Sequence, residues 1–432
     1  MKQYESAGLS FGLKYLIENR TMNIWKLCSN IITGMLECLT SWTVSMIEHA
    51  RTSEEYQQGL DYTTDAWIHL LNQFSSYSEE TNNLLIPFTL RVWERWLRSK
   101  LGSPDGDRLD LNEADEEIDE IEETDNLRFD VQLTAVGMLS RMCVEQSVQI
   151  STQLISTRIK QVAAILENNR GDCVADGLWE DIHWLYLALG HLMADDTDSS
   201  ESRYIPSEVM KSSLNSKSPV VQNINESNDH VVKVIALLMH CMEMETSIMN
   251  NNLTHMWSPQ AAQDLRWVLL RVSEAYFYFE EDHHSNMSPS LHGAVGRDTE
   301  TGKGLINKLV DFCLLSLQKW SGEIEILNLS CEILIGNMRR SGPKTKLIAL
   351  NEQIWMIGEK FCSQRDCIYS RLPPQIQQKL MSVIVYAGKK EDLSLFYRKV
   401  DCVFPMVISS EFRIRQYRDG DHRRDVPHFN LI

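Results

Sequence analysis

Apolar residues recur at steps of three and four along most of the chain. Ile24, Leu27, Ile31, Met35, Cys38, Leu39 and Trp42 form one such stripe, and Tyr56, Leu60, Thr63, Trp67, Leu70, Leu71 and Phe74 form a second. Leu84, Leu85, Phe88, Val92 and Trp96 form a third. A period near 3.6 residues places each set on one face of an α-helix. The breaks between the stripes are polar. Arg51-Thr52-Ser53-Glu54 separates the first two, with Ser53 positioned to cap the second helix. Ser78-Glu79-Glu80 opens the third, and Pro87 is expected near its first turns, where a missing N–H matters least.

The same pattern predicts further helices near 130–148, 149–168, 174–194, 229–249, 258–282, 303–320, 323–339, 346–362, 373–388 and 391–408. Alternation of period two is almost absent, so strands are not expected. The helices come in pairs, each with its linker spanning about 40 to 47 residues, the pitch of HEAT and armadillo repeats. One pair alone leaves its apolar stripe uncovered, so neighbouring pairs must stack. The expected fold is all-α, an α-α superhelix or HEAT/armadillo-like solenoid. Repeats are assigned to 1–101, 127–194 and 229–408.

Two segments interrupt the repeats. Residues 102–126 begin Gly-Ser-Pro-Asp-Gly-Asp and become a run of carboxylates, which predicts an acidic, loosely held loop. Residues 195–228 form a polar insertion, with a short helix starting at Ile205-Pro206-Ser207-Glu208 and loose chain over 214–228. Residues 409–432 read as a polar tail.

Composition narrows the function. The 432 residues contain 20 Gly and 11 Pro, few turn formers for the length, and carry a net charge of −18. That sign argues against nucleic acid, whose phosphates call for Lys and Arg. No apolar run is long enough for a membrane span, so membrane insertion is not expected. The 10 cysteines are scattered without a disulfide framework.

Catalytic and metal motifs are incomplete. Gly296 to Gly304 approaches a phosphate loop, but its spacing is wrong and Gly304 stands where Ser or Thr would hold magnesium. A loop ending in a helix start is the expected structure. Glu180 and His183 share a helix face as in di-iron bundles, yet lack the second motif and the further glutamates. His183 is expected to make one hydrogen bond between helices. Cys362 and Cys367 lack a second ligand pair, and His283, His284 and His292 form only a weak cluster. Trp25, Trp42, Trp67, Trp93, Trp96, Trp320 and Trp355 occupy core positions of the stripes. No cofactor, metal or catalytic residue is assigned. The candidate site is the acidic loop, where Asp115, Glu116, Glu117, Asp119, Glu120, Glu122 and Glu123 could contact a basic partner.

Residues 178–197 read Leu-Trp-Glu-Asp-Ile-His-Trp-Leu-Tyr-Leu-Ala-Leu-Gly-His-Leu-Met-Ala-Asp-Asp-Thr, followed by Arg203-Tyr-Ile-Pro-Ser-Glu-Val-Met. This closely resembles a stretch of the exportins, nuclear transport receptors of the importin-β (karyopherin) superfamily. Phe129 to Arg141, Leu253 to Gln260, Gly296 to Glu300 and the helix reaching Trp320-Ser321 resemble the same receptors in the same order, over about residues 125–390. The resemblance covers their central portion, so a fragment of a longer receptor is expected. It implies a HEAT-repeat protein that is not an enzyme and that binds GTP-bound Ran together with protein cargo. Such receptors pass the nuclear pore through its proteins and shuttle between nucleus and cytoplasm. Cargo implied by the resemblance includes the hypusine-bearing translation initiation factor 5A and Smad-type factors, with an import role for Sox-type factors. The rival reading is a Ran-independent α-solenoid scaffold, and a third is an iron-dependent helical oxidoreductase resting on Glu180 and His183.

Overall fold

A computed structural model describes residues 29–388, apart from 51–52, 73–78, 109–124, 168–173, 175, 197–202, 221–222, 279–286, 340–341 and 364–367. Helices dominate the described residues. They are α1 Ser29–His49, α2 Glu54–Leu71, α3 Glu79–Lys100, α4 Asp125–Arg128, α5 Asp130–Arg141, α6 Val144–Glu167 and α7 Asp176–Met193. After a two-stranded antiparallel hairpin (β1 Asp195–Asp196, β2 Arg203–Tyr204) come α8 Ser207–Asn215, α9 His230–Asn250, α10 Pro259–Tyr276, α11 Pro289–Val295 and α12 Glu300–Lys319. The order ends with α13 Ile324–Arg339, α14 Pro343–Ala349, α15 Glu352–Ser363 and α16 Pro374–Gly388.

The long helices pair as α1/α2, α3/α5, α6/α7, α9/α10, α12/α13 and α15/α16. The pairs stack. One layer runs α2, α5, α7, α10, α13, α16, each helix packed on the one before. In the other layer α3 lies on α1, α9 on α6 and α12 on α9. This is the α-solenoid that the periodicity implies, since each apolar stripe is covered by the next pair. Four pairs span 29–71, 144–193, 230–276 and 300–339, close to the expected pitch. The second pair, 79–141, is longer because the acidic segment joins its two helices.

α7 is the spine of the array. Every residue from Asp181 to Met193 is buried. A helix buried on all sides lies inside the stack, with neighbours on every face. Close approach makes this possible: a Cβ on Gly137 of α5 would sit 2.7 Å from the His191 carbonyl oxygen, and one on Gly190 would sit 2.2 Å from the Trp267 ring.

Local chemistry sets the helix starts. Ser53, Asp229, Ser258, Ser288 and Thr299 each accept a backbone N–H of the first turn with their side-chain oxygen, and Pro259 and Pro289 stand just inside two of these helices.

Several boundaries differ from the sequence expectation. The break expected near 148/149 lies at Met142-Cys143, where the Ser147 hydroxyl donates to the Ser140 carbonyl across the turn. The helix expected over 258–282 ends at Tyr276, because Phe277 is extended and Tyr278 has φ 54°. The helix expected over 346–362 is two, α14 and α15, broken at Leu350-Asn351. Pro87 lies in the third turn of α3, deeper than expected. Residues 214–220 and 223–228, expected as loose chain, include a 3₁₀ turn and buried Ser218 and Ser227. The helix expected over 391–408 lies outside the described residues.

Candidate functional site

The seven acidic candidates, Asp115 to Glu123, lie outside the described residues, but the chain on either side of them is described. Residues 109–124 carry nine carboxylates, counting Asp110 and Glu113 with those seven, and neither Lys nor Arg, which is half of the net −18. The flanks of this charged segment converge on the N-terminal half of α7.

The leading flank is bound through Asp181. Its Oδ1 accepts the Gly102 N–H at 2.8 Å and lies 2.8 Å from Arg108 Nη1, while its Oδ2 accepts Arg158 Nε at 2.9 Å. Arg158, on α6, reaches Asp105 at 2.7 Å with Nη1. Arg108 also donates to the carbonyls of Lys100 and Gly177 at 2.9 and 2.8 Å. Arg158 and Asp181 are almost fully buried, at 4% and 6% side-chain exposure. Two cations thus share carboxylates inside the joint, and the pairing offsets the desolvation that a lone charge would suffer there.

The returning flank is bound through His183. Its Nε2 lies 3.1 Å from Asp125 Oδ2 and its Nδ1 lies 2.7 Å from Asp264 Oδ2 on α10. The sequence predicted one interhelix hydrogen bond, and the structure has two, to carboxylates on two elements. Burial alone would pull the His183 pKa down, but hydrogen bonds donated to Asp125 and Asp264, with the field of Asp264 and Glu180, push it up to about 10. The ring is therefore a buried cation at neutral pH. For Asp125 burial works upward, but the His183 hydrogen bond and charge outweigh it and hold the carboxyl below the usual range. Glu180 is engaged elsewhere, its Oε1 accepting the Trp184 indole N–H at 2.6 Å. The pair considered for iron thus faces its own carboxylates and indole. Among the described residues no group of three or more His, Cys, Asp or Glu could hold a metal ion.

Lys100, the last residue of α3, closes the arrangement. Its Nζ lies 3.7 Å from the Trp184 ring centroid, 4.3 Å from Phe129 and 5.7 Å from Trp96. Trp184 meets the Trp96 and Phe129 rings edge-on, so the ammonium faces three aromatic groups.

The other end of α7 is held by arginines. Arg141 donates to the carbonyls of His191 and Leu192 and pairs with Asp195, and Arg271 donates to those of Gly190 and Ala194 and pairs with Asp196 at 2.8 Å. Arg203 of β2 joins Asp196 to Glu274. Carbonyls unpaired at a helix C-terminus attract cations, and here the arginines also bind the hairpin that begins the polar insertion.

Other residues singled out in the sequence are structural. Thr299 accepts the Gly302 N–H and caps α12 behind Gly296, which is a loop ending in a helix start. His292 pairs with Asp298. Of the tryptophans expected in the core, Trp67, Trp93, Trp96 and Trp320 are buried, Trp42 and Trp355 are half-buried, and Trp25 lies outside the described residues. His283, His284 and Cys367 lie outside the described residues. Among the described residues no helix is long and apolar enough to cross a membrane.

The stacked pairs around a buried central helix define an α-solenoid of HEAT or armadillo type. A family model described as Exportin-4 matches residues 67–404, from the C-terminal end of α2 to beyond α16. The chain belongs to the exportin-4 family. Exportin-4 of Dictyostelium discoideum is 24% identical over 283 residues, 61% of this chain and 23% of its own length. The chain therefore spans about a quarter of that curated relative.

Proposed function

We propose that this chain is a nuclear export receptor, or part of one, that binds protein cargo together with GTP-bound Ran and carries it through the nuclear pore. The observation that carries the reading is the family match across residues 67–404 of a stacked solenoid. Solenoids bind through extended curved surfaces rather than a reaction centre, which suits a carrier without chemistry of its own. Shuttling between nucleus and cytoplasm through contacts with pore proteins goes with the same role. In this reading Asp115 to Glu123 meet basic residues of Ran or cargo, the repeats keep the assigned boundaries, and the segment 102–126 is a docking loop. An array of carboxylates accelerates encounter with a basic partner more than it deepens final affinity.

The test is capture of the full chain by Ran locked with GTP and by Ran with GDP. Capture by the GTP form alone supports the export reading. Equal or absent capture supports the rival, a Ran-independent scaffold. Cargo choice is read by the same capture with candidate factors added.

A further inference from the structure

The C-terminal end of α7 is gripped twice in the same way. Arg141, the last residue of α5, donates Nε and Nη2 to the Leu192 and His191 carbonyls and turns Nη1 to Asp195. Arg271 of α10 donates Nε and Nη2 to the Gly190 and Ala194 carbonyls and turns Nη1 to Asp196. The two carboxylates are neighbours on β1. On β2, Arg203 lies opposite Asp196 in the hairpin register, donates Nε to it at 3.0 Å and reaches Glu274 of α10 at 3.0 Å with Nη1. α5 and α10 each pack on α7, and the hairpin ties their ends together over it.

We propose that this hairpin is a strap that couples α5 to α10 across α7. Helices of three successive pairs then respond as one unit, and the polar insertion 195–228 is connected to all three.

Capping alone does not call for a strap. The carbonyls of α7 are met by Nε and Nη2 of each arginine, and the carboxylates add nothing to those bonds. The carboxylates instead balance two guanidinium groups at 7% and 4% exposure, which would suffer desolvation without a counter-charge. The hairpin therefore cannot shift without disturbing both arginines. Asp195 and Asp196 themselves are 34% and 38% exposed. Water can replace their contacts but not those of the buried arginines, so the strap lets go from its outer side. The insertion is held at its far end as well. Ser213 of α8 donates to Asp229 Oδ2, Asp229 Oδ1 caps α9, and α8 packs on α6. A load on the insertion is thus passed to α6 and α9 at one end and to α5 and α10 at the other. The strap does not rest on the export reading.

The test is hydrogen exchange of the full chain. Asp195→Asn changes the side chain that meets Arg141. With the strap, amides 273–277 at the end of α10 should exchange about tenfold faster, although they lie one helix beyond the change. Tenfold is the scale of losing one hydrogen bond to a charged group. Arg203→Met cuts the hairpin from Glu274 and should accelerate 273–277 by a similar factor. The two changes together should give little more than either alone, because they cut one connection. Acceleration confined to 138–143 and 190–194 in Asp195→Asn would overturn the proposal, since the hairpin would then be a local cap. So would full multiplication of the two effects, which marks independent sites. If Asp195→Asn unfolds the chain too widely to read, Arg203→Met reads the same connection in reverse. It should speed 138–143 on α5, and an unchanged 138–143 would overturn the strap equally.

Discussion

Two helix pairs of this solenoid, α6/α7 and α9/α10, each contain a buried arginine–carboxylate pair, and the surroundings are built differently. In the centre, Arg266 of α10 and Glu245 of α9 are both at 0% side-chain exposure and 2.7 Å apart. Arg266 also donates to Ser316, Ser330 and the Ala262 carbonyl, stacks on Phe312, and shares Glu245 Oε1 with the Trp320 indole. Helices in both layers seal this cluster. Near the acidic segment, Arg158 of α6 pairs with Asp181 of α7, and the two hold the 101–108 turn through Asp105 and the Gly102 N–H. A buried ion pair is thus sealed inside a packed core at one place and anchors a turn at the edge of the stack at the other. The difference teaches that burial of a pair says little about its role until the packing around it is known.

The largest effect is expected at the centre. Arg266→Ala strands Glu245 in a sealed core and should cost about 3–5 kcal/mol. Thermal unfolding should show one lower, still cooperative transition, whereas Arg266→Met with Glu245→Leu should recover most of the loss. Gly190→Ala is next. Its new methyl meets the Trp267 ring, and overpacking of this kind costs about 1–3 kcal/mol. Asp181→Asn should lower the global midpoint less than Arg266→Ala, because Asp181 anchors a turn at the edge of the stack whereas Arg266 and Glu245 are fully buried. Equal shifts for the two would erase the distinction between the two clusters.

His183 gives a pH test of the same region. Its folded pKa, about 10, lies above the usual imidazole value of 6.5. Its contribution to stability is therefore complete below the unfolded value and is lost as pH rises through the folded one. The difference in midpoint between the unaltered chain and His183→Gln should be greatest near pH 6.5 and shrink toward pH 10. A difference that grows over that range contradicts the protonated ring. The smallest effect on stability belongs to Ser replacements across Asp115 to Glu123. Unfolding should not move measurably, while association with a basic partner should slow and lose its salt dependence.

Much of the fold was legible because helical period and capping are local. The stripe from Tyr56 to Leu71, with Ser53 ahead of it, is α2, and its cap bonds as expected. The break at Met142-Cys143 was not legible, since no Gly or Pro marks it and the Ser147–Ser140 bond forms only once both helices are in place. The ionic clusters were missed for a related reason. Asp181 and Gly102 are 79 residues apart, and His183 and Asp264 are 81 apart. One signal was present: Arg158 falls within the apolar face of Ile155, Ile159 and Val162, and Arg266 beside Leu265 and Leu269. A cation on a core stripe calls for a buried carboxylate partner.

The sequence by itself determined an all-helical chain, the stacking of its pairs, the concentration of charge between Asp110 and Glu123, and the exportin resemblance. These follow from period, composition and adjacent residues, which need no knowledge of the rest of the chain. Only the tertiary structure decided that the flanks of the acidic segment meet on α7, that His183 bridges two carboxylates, and that buried Arg158 and Asp181 anchor the turn after α3. Those facts depend on which distant residues become neighbours, and that is set by packing the whole array at once.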